Sequence, residues 1–174
     1  SRATYSGMLP GTLAGLYKPE EMEIDLFRFA APMGIRVIID EVVSLDPDRR
    51  RVKFATRPEI RFDVASVGIG SVPAGFDQWS DSAALLPIKP MATLCDRLEA
   101  RLQQLQKADT EKGKSIPLKA VVVGGGAAGV EVTLCLEARL RSQNLNVQTT
   151  LVDSCESVLR GYLPGTIRKV TAHF

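Results

Sequence analysis

The chain has 174 residues, 45% hydrophobic and 24% charged, the makeup of a soluble globular protein with one ordinary core or two small pieces. Its net charge of +2 is too small to argue for nucleic acid or an anionic membrane surface, and no apolar run approaches the ~20 residues of a membrane span. The scattered Cys95, Cys135 and Cys155 form no CxxC and no metal-ligand spacing, which argues against a metal site and a disulfide framework and for a reducing, cytoplasmic setting. No signal peptide is visible, and the lone His173 at the end of the chain is assigned no role.

In chain order, residues 1–20 are rich in Gly and Pro and predict a loop with one helical turn at 12–17. Residues 25–31 predict a short helix ended by Pro32 and Gly34. A β region follows. Residues 35–40 are an apolar run, 41–45 continue it, and Asp46-Pro47-Asp48 turns it. Residues 51–56 alternate Val52 and Phe54 with polar neighbours, and 60–67 form a third strand. Gly68-Ile69-Gly70-Ser71-Val72-Pro73 closes the region with small residues, and 74–90 read as irregular. Met91, Leu94, Leu98, Leu102 and Leu105 recur every three or four residues, which predicts an amphipathic helix over 91–108 with a core-facing stripe. The polar run 108–115 is the best boundary. A further helix starts after Pro164.

The chemistry sits between these. A buried strand at 120–123 runs into Gly124-x-Gly126-x-x-Gly129, which opens a helix, and a second strand ends at Asp153. This is the dinucleotide-binding fingerprint in its required context. Gly124 permits the turn, Gly126 lets backbone approach a pyrophosphate, and Gly129 lets helix and strand pack closely. Ala127 and Ala128 keep the turn small, the helix N-terminus offers N–H groups to phosphate, and Gly125 is counted with them among the cofactor-binding residues. Asp153 lies 24 residues after Gly129, near the roughly 20 expected of the ribose-binding acid, and an acid there repels a 2′-phosphate, favouring NAD(H). A single βαβ unit behind an antiparallel region looks like a segment cut from something larger.

The order YSGMLPG, GIGSVP, helix, VVVGGGAAGVE and LVD resembles the two-dinucleotide-binding flavoproteins of the pyridine nucleotide–disulfide oxidoreductase superfamily over nearly the whole chain. Within it the chain is most similar to type II NADH dehydrogenase-like proteins, and YSGMLPGTLAGLY resembles the flavoprotein domain sometimes fused ahead of selenide, water dikinase. The resemblance implies an α/β fragment of the FAD/NAD(P) fold: residues 1–90 a partial FAD-binding domain, 91–115 a helix and linker, and 116–174 a partial NAD(H)-binding domain. It implies FAD and NAD(H) as cofactors. It places Pro10 in the loop beside the flavin, Val43 near the adenine of FAD, Gly70, Ser71 and Pro73 near its phosphates and ribose, and Glu131 toward the nicotinamide. The family's first GxGxxG and its redox cysteine pair have no counterpart here.

Read without the resemblance, residues 5–15 could be a surface loop, GIGSVP a strand-ending turn, Glu131 a first-turn acid favouring the helix dipole, and Asp153 an ordinary strand-end acid. The expected function is hydride transfer from NADH to flavin and on to a small-molecule or quinone-type acceptor, in a protein that is cytoplasmic or peripheral to a membrane. The isolated chain is expected to be inactive and to hold FAD weakly. The alternatives are a non-catalytic nucleotide-binding sensor or structural module and, on the 91–108 stripe alone, a homo-oligomerisation or docking piece.

Overall fold

The computed structural model describes residues 1–73, 75, 78, 82–112 and 117–174, with backbone alone at 108–112. It divides into two units, Ser1–Ala3 with Ile24–Ser80, and Thr4–Glu23 with Asp81–Phe174. Strands β1 (Arg2–Thr4) and β2 (Glu23–Asp25) form a two-stranded sheet.

In the first unit, Asp25 caps helix α2 (Leu26–Ala30) by accepting from the N–H groups of Phe27 at 3.0 Å and Arg28 at 3.2 Å. Gly34 ends the following turn at φ +64°, as the sequence predicts. Strands β3 (Val42–Asp46), β4 (Arg51–Phe54) and β5 (Ile60–Arg61) form one antiparallel sheet in that order. Two expected strands are shorter than predicted. Residues 35–40 are irregular, because β4 pairs with β3 only from Val42 onward. The segment is held instead by Asp40, whose side chain is 3% exposed and accepts from Thr56 Oγ1 at 2.8 Å, Arg57 Nε at 2.9 Å and the Glu41 N–H at 2.8 Å. The strand expected over 60–67 stops at Arg61, since its pairing with β4 involves only Ile60 and Arg61; Val64 and Val67 beyond it are exposed.

In the second unit, the N-terminal helical turn lies earlier than predicted. Helix α1 (Leu9–Leu13) carries Pro10 in its first turn, where the missing N–H has no helical acceptor to satisfy anyway. Helix α3 (Leu94–Lys112) confirms the leucine stripe: Leu94, Leu98 and Leu102 are buried. It also runs into the run read as linker; residues 113–115 of that linker, residue 116 after it, and 74, 76, 77 and 79–81 of the irregular segment, lie outside the described residues.

Strand β6 (Leu118–Val123), helix α4 (Ala127–Ser142) and strand β7 (Val147–Val152) form the expected βαβ unit. The strands are parallel and in register from Leu118↔Val147 to Val123↔Val152. The core joins Leu13, Leu98, Leu102, Val132 and Leu140, with Leu118, Val122 and Val147 against it. Arg139 of α4 pairs with Glu99 of α3 at 3.3 Å, and Thr149 of β7 donates to Glu137 of α4 at 2.6 Å. The expectation of a buried strand at 120–123 is corrected to one buried on a single face. Only its Leu118–Ala120–Val122 face meets α4; Val121 is 62% and Val123 80% exposed on the other. Helix α5 (Pro164–Thr171) follows.

Candidate functional site

The site grows from the point where β6 ends. The Gly124 N–H donates to the Val152 carbonyl at 2.8 Å, so the two strands are still tied as the chain turns. Gly124 turns it at φ +114°, a conformation that costs glycine little and other residues a good deal. Five residues on, a Cβ on Gly129 would collide with the Gly124 carbonyl oxygen; its absence lets α4 start hard against the strand. The buried Thr133 locks that start by donating to the Gly129 carbonyl at 2.7 Å.

Gly126 is the N-cap of α4, with extended backbone at φ −71° and ψ 178°, and no side-chain cap. Its carbonyl accepts the first helical bond, from Val130 at 3.0 Å. No heavy atom lies within 4 Å of where its Cβ would be. Open space thus fronts a 16-residue helix, whose first-turn N–H groups and dipole favour an anion.

Asp153 follows directly on β7. Its side chain lies against Gly125: a Cβ there would stand 2.7 Å from Asp153 Oδ2 and 2.9 Å from its Cβ and Cγ. The carboxylate is therefore fixed beside the glycine turn, able to accept hydrogen bonds from a hydroxyl-bearing ligand. Glu131 is exposed on α4, past its first turn, which contains no acid; the reading of Glu131 as a first-turn dipole residue is corrected. Burial, with the Glu131 carboxylate adding to it, pushes the Cys135 thiol above its ordinary value. Burial also raises Cys95, against the opposing pull of Arg139.

The fold thus brings together Gly124, Gly125, Gly126, Ala127, Ala128, Gly129 and Asp153, with Pro10 in the same unit on α1. Val43 on β3 and Gly70, Ser71 and Pro73 in the irregular stretch belong to the other unit, with Gly70 at φ +76°. Sequence reasoning missed Leu159, whose N–H donates to the Gly125 carbonyl at 2.7 Å; nothing in the residue type announces it. Among the described residues no group of His, Cys, Asp and Glu could hold a metal ion.

The profile of the pyridine nucleotide-disulphide oxidoreductase family matches residues 6–174. The chain belongs to this family. Members are FAD- and NAD(P)H-dependent oxidoreductases, and the chain has the family's mixed α/β FAD/NAD(P)-binding architecture. No curated protein matches the sequence. Solved structures share the fold at low identity. NDH2 from Plasmodium falciparum in complex with RYL-552 matches with a TM-score of 0.71 and 15% identity, over 99% of this chain and 39% of that one. Reduced CoADR-RHD from Bacillus anthracis matches at 0.64 and 19%, over 98% and 29%. The covalent putidaredoxin reductase–putidaredoxin complex matches at 0.60 and 20%, over 95% and 37%. The chain thus spans well under half the length of these structures. The glycine turn is chemically suited to the family's dinucleotide: Gly126 carries no side chain and faces open space at the helix N-terminus, the arrangement that lets backbone approach a pyrophosphate. No helix among the described residues is long and apolar enough to cross a membrane.

Proposed function

We propose that this chain is part of an FAD-dependent NADH oxidoreductase. In this reading Gly124, Gly125, Gly126, Ala127, Ala128 and Gly129 hold the pyrophosphate, Asp153 accepts hydrogen bonds from the ribose hydroxyls, and Glu131 lies toward the nicotinamide. Pro10, Val43, Gly70, Ser71 and Pro73 belong to the FAD side. The observation that carries it is the Asp153 carboxylate held against Gly125. A carboxylate there welcomes paired hydroxyls and repels a 2′-phosphate, so NADH is preferred over NADPH.

When bound, the nicotinamide supplies a hydride that the flavin relays as electrons to a small-molecule or quinone-type acceptor. The chain's own residues bind and orient; no side-chain acid, base or nucleophile is needed. Cys95, Cys135 and Cys155 are free thiols with no paired spacing, so disulfide reduction is not assigned. The segment YSGMLPGTLAGLY supports the finer reading of a type II NADH dehydrogenase-like flavoprotein of the kind fused ahead of selenide, water dikinase. A cytoplasmic protein, in contact with membranes at most peripherally, fits this reading.

The test is titration of the 15N-labelled chain with NADH and NADPH. Amide shifts centred on residues 124–131 and 153, with NADH at least about tenfold tighter (~1.4 kcal/mol), support it. Equal affinities refute the role of Asp153, and shifts elsewhere refute the site.

A further inference from the structure

The loop after Asp153 takes no part in the fingerprint, yet it reaches into it. Leu159 has φ +55°, a left-handed conformation that a Cβ disfavours and that bulky residues rarely adopt. The residue is 5% exposed, so burial holds it in that pose. Its carbonyl accepts from the Tyr162 N–H at 3.0 Å, closing a turn in which Gly161 is also left-handed at φ +89°. Set this way, the Leu159 N–H donates to the Gly125 carbonyl at 2.7 Å.

That carbonyl and the Gly126 N–H share one planar trans peptide and point in opposite directions. Fixing the first fixes the second. The opposite motion is also restricted, because Asp153 fills the space beside the Gly125 Cα. The Gly126 N–H lies at the N-terminus of α4, where Gly126 faces open space.

We propose that Leu159 is a positioning residue for phosphate recognition: its strained, buried backbone clamps the Gly125 carbonyl and so aims the Gly126 N–H at the phosphate of a bound nucleotide. The proposal rests on the nucleotide reading given above. Sequence fingerprints end at Asp153; this clamp lies beyond them and meets the glycine turn through its backbone N–H.

The experiment uses the full 174-residue chain with ADP and adenosine as probes, read by amide NMR. Leu159→Ala keeps the N–H but loses the burial that holds the pose. It should speed exchange of the residue 159 amide at least about tenfold and move the Gly126 amide resonance before any ligand is added. It should weaken ADP about three- to tenfold, the range of one well-made hydrogen bond, and leave adenosine, which has no phosphate, unchanged. Leu159→Met should behave as the native chain. Should Leu159→Ala fail to fold, Leu159→Val, which keeps the Cβ that disfavours this φ and loses part of the burial, carries the same expectations in smaller measure. ADP and adenosine weakened equally would reduce Leu159 to a structural role. Unchanged ADP affinity, or an unmoved Gly126 resonance, refutes the clamp. A native chain with no ADP shift at residues 124–131 instead refutes the nucleotide reading, and the ligand half of the proposal with it.

Discussion

Gly125 is the sharpest place to test the geometry. Its φ is not in the left-handed region, so alanine is allowed there by backbone; the obstacle is Asp153. In Gly125→Ala the new Cβ would sit 2.7 Å from Asp153 Oδ2 and 2.9 Å from Cγ and Cβ. Rotating the carboxylate relieves the first two contacts and leaves the third, because Cβ does not move with χ1. Main chain must shift. Overpacking of this kind costs about 1–3 kcal/mol, roughly 2–12 °C in Tm for a chain of this length. The assay is urea unfolding of the 174-residue chain, followed through hydrogen exchange of β6 and α4 amides so that their unit is read by itself. A double-mutant cycle decides the cause. Asp153→Ala keeps the Cβ and should relieve the cost in part; Asp153→Gly removes it and should relieve nearly all. If Gly125→Ala costs the same in all three backgrounds, Asp153 is not what excludes a side chain at 125, and its placement beside the turn is wrong.

Asp153→Ala should weaken NADH roughly ten- to hundredfold, since hydrogen bonds to a charged group contribute about 1.5–3 kcal/mol; an unchanged dissociation constant by calorimetry removes Asp153 from the ribose. Asp40 should give the first unit an acid-sensitive stability. Burial raises its pKa, but hydrogen bonds from Thr56, Arg57 and the Glu41 N–H hold it below its ordinary value on balance. That stabilisation is therefore present above the unfolded value of about 3.9 and is lost as pH falls through the lower folded one. Asp40→Asn should show a flatter urea midpoint between about pH 6 and pH 3, and identical slopes would refute the cause. Cys95 and Cys135, both raised by burial, should alkylate with iodoacetamide near pH 7 well below the rate of a free thiol, since the thiolate is the nucleophile; labelling of either at the free rate refutes the buried setting. Thr133→Val should cost about 1 kcal/mol through the lost hydroxyl bond to Gly129, measured by the same unfolding assay.

What could be read from the residues follows how local the constraint is. The roles of Gly124 and Gly129 were legible because each depends on neighbours within a few residues along the chain. The same holds for the Gly34 helix stop and the α3 leucine stripe. Residues 35–40 are apolar enough for a strand, but a strand also needs a ladder partner, and pairing is not local. The short β5 repeats the lesson. The valines of β6 read as a buried run, yet exposure depends on what covers each face. Leu159 was invisible for the same reason: a left-handed leucine is permitted only by the pocket that holds it, and no property of leucine suggests it.

The bare face of the β6–β7 sheet has a practical reach. Val121, Val123 and Val152 present branched carbons to water on alternate residues, whereas parallel sheets normally carry a layer on each side. Concentrated samples should therefore self-associate through this face, and exchanging Val121 and Val123 for threonine should raise solubility while leaving the α4 side undisturbed. The same face is a built-in gauge. An environment-sensitive dye that brightens on apolar surface should glow on the chain as it stands and dim whenever another polypeptide layer settles over those valines, turning the completeness of the sheet into an optical signal.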